Sequence, residues 1–510
     1  MGVKKEVKKR LTSKISCLIL LVSFYFINGF AGQYNYCLAS SGSESAAPGK
    51  YNIILILFDS IRADHLGCYG YKRNISPSID KLAKEGVLFE QPICQSTWSL
   101  PSQCSILTSK YVPSHGVDDI YKRLSDSELT LAEILKMYGY ETAAFTGGFW
   151  LSSVFNSGQG FDLYFDGLTF GKMRETVPLA LDWLRNNKDK RFFLLLQGFD
   201  GHSPFNLPKE YEEKFVDHAY NGIFKTLTLD HNIGDRLSGD EFFLDYNYDK
   251  KVRVTQEDIQ YIIDNYDGSI ACSDKYIGDF LQKIDELGLK DNTIIILTSY
   301  HGTPLFEHGI ILRRQHGGVT DGTIRVPLII RHPQKGRAGI RIASQVQLID
   351  IMPTILDFNG IPVNHQSQGK SLSQLFEKRS AFSFDEYAFV NGYNEVAVRT
   401  NTWKLIKRSK KSGQESLELY NLKNDPAEMK DLINSKKDAA VNFEHKLDEW
   451  FKLTQPDSQK ISPVADSEIN KIKEEMKKAG YWFVHDNGDK EVIGRDIPGE
   501  KKDVQTEGKD

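Results

Sequence analysis

The chain has 510 residues, 40% hydrophobic and 11% aromatic, with 64 Lys and Arg against 68 Asp and Glu for a net charge of −4. That length allows two to four domains or one large domain with an appendage, and the apolar content excludes a largely disordered chain. Six cysteines cannot staple 510 residues, and the slightly acidic balance excludes a nucleic-acid-coating protein, so no nucleic-acid partner is expected.

The charge is unevenly spread. Residues 1–31 carry six basic side chains and one acid, a local +5 that leaves −9 for the rest. After Lys14, mostly apolar residues run from Ile15 to Ile27, followed by the small residues Gly29 and Ala31. A basic start, a short apolar run and small residues have the form of a secretory signal peptide. The run is short for a membrane span, which needs about 20 residues. The pattern predicts a signal over 1–31, handed to the export machinery and delivering a periplasmic or extracellular protein. Retention as an N-terminal membrane anchor is the alternative. Residues 32–50, rich in Ser, Ala and Gly, read as a flexible leader.

Structured chain is expected from Tyr51. The apolar runs 52–58, 192–199 and 293–299 have no polar alternation, which suits central parallel strands buried on both faces. Helices are predicted between them over 79–85 with Ser78 as N-cap, over 129–138, and over 258–287 as one helix or two. Strands alternating with helices argue for a layered α/β domain. In such sheets ligands collect beyond the carboxyl ends of the strands. Asp59, Asp200 and His301 follow those three ends, so one cleft should gather them. Residues 205–254 are polar and aromatic without periodicity and read as a long insertion over the cleft. A late strand is expected at 326–330, then short strands at 395–399, 403–406 and 417–420, a small antiparallel sheet, and a closing helix over 438–453. The predicted division is a main domain over 51–368, a C-terminal subdomain over 369–455 and a charged, loosely packed tail over 456–510 with a helix at 467–478.

Several polar residues stand out within this frame. Asp59 follows a buried strand, where it can cap the next turn or hold a cation. Ser99 precedes Leu-Pro-Ser and a helical pattern, which would place its oxygen at a helix N-terminus favourable to anions. His202, His301, His308 and His316 fall at strand ends or in glycine-flanked loops, as metal-binding or proton-transferring histidines often do. Cys94 and Cys104 allow either a disulfide or buried thiols.

The segment Asn52 to Gly70, which contains Phe58-Asp-Ser-Ile-Arg-Ala-Asp64, resembles the opening of the sulfatase family within the alkaline-phosphatase superfamily. Ser99-Leu-Pro-Ser-Gln103 falls on that family's nucleophile motif. Asp200-Gly-His-Ser-Pro204, Thr298-Ser-Tyr-His-Gly302, Glu307-His-Gly309, His316-Gly-Gly318 and Arg325-Val-Pro-Leu-Ile-Ile330 follow in the family's order, and the likeness spans roughly 51–432. The resemblance implies an alkaline-phosphatase-like α/β sandwich, a large mixed sheet between helices with a small C-terminal antiparallel sheet. It implies a sulfuric ester hydrolase acting on a sulfated small molecule or glycan with one divalent metal, calcium by family habit. Carried across, Asp59 and His301 become metal ligands, Ser99 the nucleophile or formylglycine precursor, His202 a catalytic acid, and His316 and His308 substrate-binding residues.

Some positions depart from the family. Ser60 stands where many sulfatases have a second Asp, and Tyr300 where the family has an Asp before its His. Gln103 replaces the motif Arg that maturation enzymes recognise, and Gly148 replaces a Lys that reaches the sulfate. With Asp59 the surviving acid of the usual set, three outcomes are open. Asp64, Asp200 or Glu307 moves in as a ligand; the site takes zinc instead; or the protein binds anionic glycans without cleaving them. An unmodified Ser99 also suits a phosphoester hydrolase or phosphotransferase acting on phosphorylated substrates.

Overall fold

The structure is a computed structural model that describes residues 49–203, 205–225, 242–246, 250–309, 318–336, 338–377, 387–409, 413–455, 462–478, 481–485 and 491–495. The signal and leader readings, His316, and part of the 205–254 insertion lie outside the described residues.

Eight strands form the main sheet: β1 (Asn52–Phe58), β2 (Val87–Ile93), β3 (Glu141–Phe145), β4 (Leu163–Phe165), β5 (Phe192–Gly198), β6 (Thr293–Ser299), β7 (Leu328–Arg331) and β8 (Ile340–Gln347). Their order is β8-β2-β7-β6-β1-β5-β3-β4. β1 lies parallel between β5 and β6, and β7 runs antiparallel to β6 and β2, so the sheet is mixed. Every residue of β1 is buried. Its alternate side chains divide between two cores: Ile53, Leu55 and Leu57 on one face, Ile54, Ile56 and Phe58 on the other. This is the period-2 geometry of a strand covered on both faces.

Helices supply the cover. α1 (Pro77–Glu85) starts from Ser76 rather than Ser78, whose backbone N–H is instead held by Asp274 at 3.0 Å. α2 (Ser99–Thr108) packs into the first core through Leu100, Ile106 and Leu107. α3 (Met173–Asn187) and α4 (Gln256–Glu286) cover the other face, and α4 is one unbroken helix opened by a Thr255–Asp258 capping box.

The insertion after β5 holds more regular structure than its composition implies: a helix at Lys209–Phe215 and a hairpin pairing Phe242–Tyr246 with Lys250–Val254. The tail is also partly ordered. Ser462 and Pro463 pair with Lys122 and Arg123, Asp466–Lys478 is helical, and Ile469 is buried. The four cysteines of the described region are free thiols.

A second sheet comprises β9 (Ala388–Asn391), β10 (Glu395–Arg399), β11 (Trp403–Ser409) and β12 (Glu415–Asn421), each antiparallel to the next. An ionic cluster joins it to the main domain. Asp321 receives Arg399 at 2.7 Å and Lys404 at 2.9 Å, and Lys404 also meets Glu428 at 2.5 Å. Burial alone would raise the Asp321 pKa; Arg399 and Lys404 more than offset it and hold the carboxyl well below the usual range.

Candidate active site

Strand register assembles the site. Phe58 lies opposite Ser299 on one side and Gly198 on the other. The next residues, Asp59, Tyr300 and Phe199, therefore leave the sheet together. The loop from β5 closes on β1 where Gly201 donates its N–H to the Asp59 carbonyl at 3.0 Å. A Cβ at Gly201 would sit 2.4 Å from that oxygen, so only glycine permits the approach. Ser60 turns the chain away with φ 61°, a left-handed conformation that a non-glycine residue holds at some cost. The Tyr266 hydroxyl pins this turn by donating to the Ser60 carbonyl at 2.8 Å.

Asp59 is fully buried at the centre. The Tyr300 hydroxyl donates to its Oδ2 at 2.8 Å, and the Ser60 hydroxyl to its Oδ1 at 2.6 Å. Ser99 opens α2, where unpaired backbone N–H groups favour negative charge. Its Oγ is 3.5 Å from Asp59 Oδ2 and 3.3 Å from His301 Nε2. His301 Nδ1 faces the Gly302 carbonyl at 2.7 Å. That carbonyl can only accept, so Nδ1 carries a proton, and Nε2 lies between Ser99 Oγ and Asp59 Oδ1, the latter 3.6 Å away. The hydroxyl, imidazole and carboxylate thus sit in mutual contact.

The expected residues divide by place. Asp59, Ser60, Ser99, Tyr300 and His301 come together. His202 follows Gly201 on the same rim, with its ring 4.3 Å from that of Phe199. His308 lies farther along the loop after β6, half-buried with φ 56°. Gln103, one turn beyond Ser99, is fully buried, and neither amide atom finds a hydrogen-bond partner of ordinary geometry among the described residues. Two contributors escaped sequence reasoning. Gln197 donates to the Tyr300 hydroxyl at 3.1 Å and accepts from the Gly147 and Gly148 N–H groups at 2.8 and 3.1 Å. A lone amide inside an apolar strand was the available signal. Lys172 is buried, its ammonium making no hydrogen bond among the described residues; burial lowers its pKa and the Asp200 charge works against that shift.

The three spare carboxylates are committed elsewhere. Arg62 holds Asp64 at 2.7 Å and Glu307 at 2.5 Å, while Asp200 accepts from the Met173 N–H at 2.9 Å. Among the described residues no three His, Cys, Asp or Glu side chains gather as a ligand set. Calcium takes about six to eight oxygen ligands with carboxylates among them, and a catalytic zinc about three protein ligands. Asp59 and His301 with a protonated phenol do not fit either ion.

Comparison with known proteins supplies the family. Residues 51–361 match the sulfatase family, and 307–455 match the C-terminal region of N-sulphoglucosamine sulphohydrolase. The chain belongs to the sulfatase family. It is 28% identical to an ulvan-active sulfatase of Formosa agariphila, covering 70% of this chain and 72% of that one. It is 25% identical to an N-acetylglucosamine-6-O-sulfatase of Bacteroides thetaiotaomicron over 78% and 84%. In fold it resembles a protein solved with its substrate D-glucosamine-2-N,6-O-disulfate, with TM-score 0.66, 21% identity and coverage of 79% and 98%. It also resembles the phosphonate monoester hydrolase of Agrobacterium radiobacter, with TM-score 0.64, 20% identity and coverage of 79% and 96%. The alkaline-phosphatase-like fold of these sulfatases is the one built here. The family generally uses a divalent metal, against which the donor set around Asp59 stands apart.

Proposed function

We propose that this sulfatase-family chain hydrolyses sulfate esters carried on a glycan, with Ser99 as the attacking group. The observation that carries the reading is the Ser99 hydroxyl at the N-terminus of α2, 3.3 Å from the His301 Nε2 atom. The named glycan substrates of the relatives support a sulfated sugar as the ligand class.

In this mechanism the Ser99 proton passes to His301 Nε2 as Oγ bonds to sulfur and the ester S–O bond breaks. The departing alkoxide takes a proton from protonated His202. Water then attacks the sulfur and gives a proton to the now neutral His202, the S–Oγ bond breaks to release sulfate, and His301 returns its proton to Ser99 Oγ. The α2 N-terminus stabilises the anion throughout, and His308 and His316 are proposed substrate contacts. The unmodified hydroxyl is the attacking group because Gln103 replaces the Arg of the formylglycine motif. That same feature favours a second reading, phosphoester hydrolysis through a phosphoserine. Export, with the N-terminal segment as signal, completes the proposal; no helix among the described residues is long and apolar enough to cross a membrane.

The test is release of sulfate from 4-nitrophenyl sulfate and 6-O-sulfated glucosamine by the full chain, with aryl phosphate alongside and mass spectrometry of the Ser99 peptide. Sulfate turnover that S99A abolishes supports the proposal. Turnover of phosphate alone, with phosphate trapped on Ser99, replaces it by the second reading, and turnover of neither refutes both.

A further inference from the structure

We infer that the Tyr300 hydroxyl occupies the position a divalent cation takes in this family, so that the Asp59 centre holds no metal ion. The inference concerns the same site as the proposed activity and assumes that this is the working cleft.

Three observations carry it. First, proton donors face both oxygens of the Asp59 carboxylate: the Tyr300 hydroxyl at 2.8 Å and the Ser60 hydroxyl at 2.6 Å. A ligand oxygen must offer its lone pair to the cation, and a proton donor on that lone pair competes with it directly. Tyr300 is itself polarised by the Gln197 amide at 3.1 Å, forming a chain Gln197 to Tyr300 to Asp59 that stabilises a buried carboxylate through hydrogen bonds. A phenol keeps its proton at neutral pH and so remains a donor. Second, recruiting another acid would break an existing interaction. Asp64 and Glu307 share the buried Arg62, and Asp200 holds the start of α3. Third, with Nδ1 tied to the Gly302 carbonyl, His301 Nε2 sits between Ser99 Oγ at 3.3 Å and Asp59 Oδ1 at 3.6 Å, so the imidazole is engaged within the cluster itself.

The arrangement also accounts for two of the family departures together. Ser60 and Tyr300 stand where the family motif often has acids, and both donate to the acid that remains. An unrelated loss of acids would not require the replacements to point their protons at the same carboxylate.

The test measures metal directly. The full chain, purified without chelator, is analysed by inductively coupled plasma mass spectrometry and then titrated calorimetrically with calcium, magnesium and zinc. The Y300D variant, checked for folding by its melting curve, is treated alike. The expected result is metal content far below one ion per chain and no saturable calcium heat for the natural protein, with calcium binding acquired by Y300D. Stoichiometric metal on the natural protein overturns the inference. So does a folded Y300D that still binds none, because Tyr300 would then not be what occupies the cation's position. Where Y300D does not fold, the measurement on the natural protein decides alone. Sulfate release assayed on the same preparation, before and after EDTA, keeps the two proposals separable. A metal-loaded active enzyme refutes only this inference, and a metal-free inactive protein refutes only the activity.

Discussion

Changing Tyr300 to Phe removes one oxygen and leaves the buried ring in place, so the effect reads the hydroxyl alone. That hydroxyl makes two hydrogen bonds, to Asp59 at 2.8 Å and from Gln197 at 3.1 Å. A bond to a charged acceptor contributes about 1.5–3 kcal/mol, and a buried donor left unsatisfied costs about 1–3 kcal/mol. The Gln197 amide nitrogen loses this acceptor in the variant, while its oxygen keeps the Gly147 and Gly148 N–H groups. Because the two bonds form one chain they do not add fully, and the expected destabilisation is about 3 kcal/mol. Urea unfolding of both proteins at neutral pH measures it, with an unchanged slope showing that the folded state is otherwise intact. A fall in kcat at nearly constant KM should accompany it, since Asp59 is no longer fixed beside Ser99. If Y300F proves as stable as the natural protein to within about 0.5 kcal/mol, less than the smallest of these contributions, something other than Tyr300 compensates the Asp59 charge, and the reading of the site is refuted.

Other substitutions probe separate claims. S99A should lower turnover by on the order of 10³-fold or more with the melting temperature preserved, and a smaller loss would remove Ser99 as the nucleophile. H301N should cost about 10²–10⁴ in kcat as the base is lost, which rate measurements near the pH optimum will show. Burial raises the Asp200 pKa from 3.8 to about 6. The folded state thus holds that proton more tightly than the unfolded chain. The stability it contributes is fully present below about pH 4 and is lost as pH rises through about 6, an effect of about 3 kcal/mol. D200N should therefore gain about that much on the natural protein between those limits, read from paired denaturation curves. D321N should destabilise by about 3–5 kcal/mol, because Arg399 and Lys404 would lose a buried counter-charge.

The parts of the fold legible in the sequence were those with one dominant signal. β1, β5 and β6 are continuous apolar runs, and their polar ends marked the cleft. β2 and β8 were invisible because Glu90, Gln91 and Pro92 interrupt the first, and Arg341, Ser344 and Gln345 the second. β3, Glu-Thr-Ala-Ala-Phe, is too short and too Ala-rich to show a period. At the site, Asp59, Ser99 and His301 could be named from family motifs, but the direction of the Tyr300 hydroxyl could not. It depends on register between β1 and β6, and on Gln197 lying one strand away, both of which are set by tertiary packing. The hairpin at 242–254 was hidden for a related reason: its pairing is local, while its flanking composition reads as loop.

The ionic cluster at Asp321 links the small sheet to the Asp59 site in a way that its distance in sequence conceals. The turn it fixes contains Thr323, whose carbonyl accepts the Gly302 N–H at 2.7 Å, and the Gly302 carbonyl in turn faces the His301 ring. Arg399 and Lys404 thereby act as an anchor for the imidazole through a relay of one carboxylate and two peptide groups. Cutting the chain before β9 would remove none of Asp59, Ser99, His202 or His301, yet it would slacken the hold on the His301 ring beside Ser99. For this protein the minimal functional unit therefore extends through β12, and a shortened form that still folds should be a slow enzyme rather than a lean one.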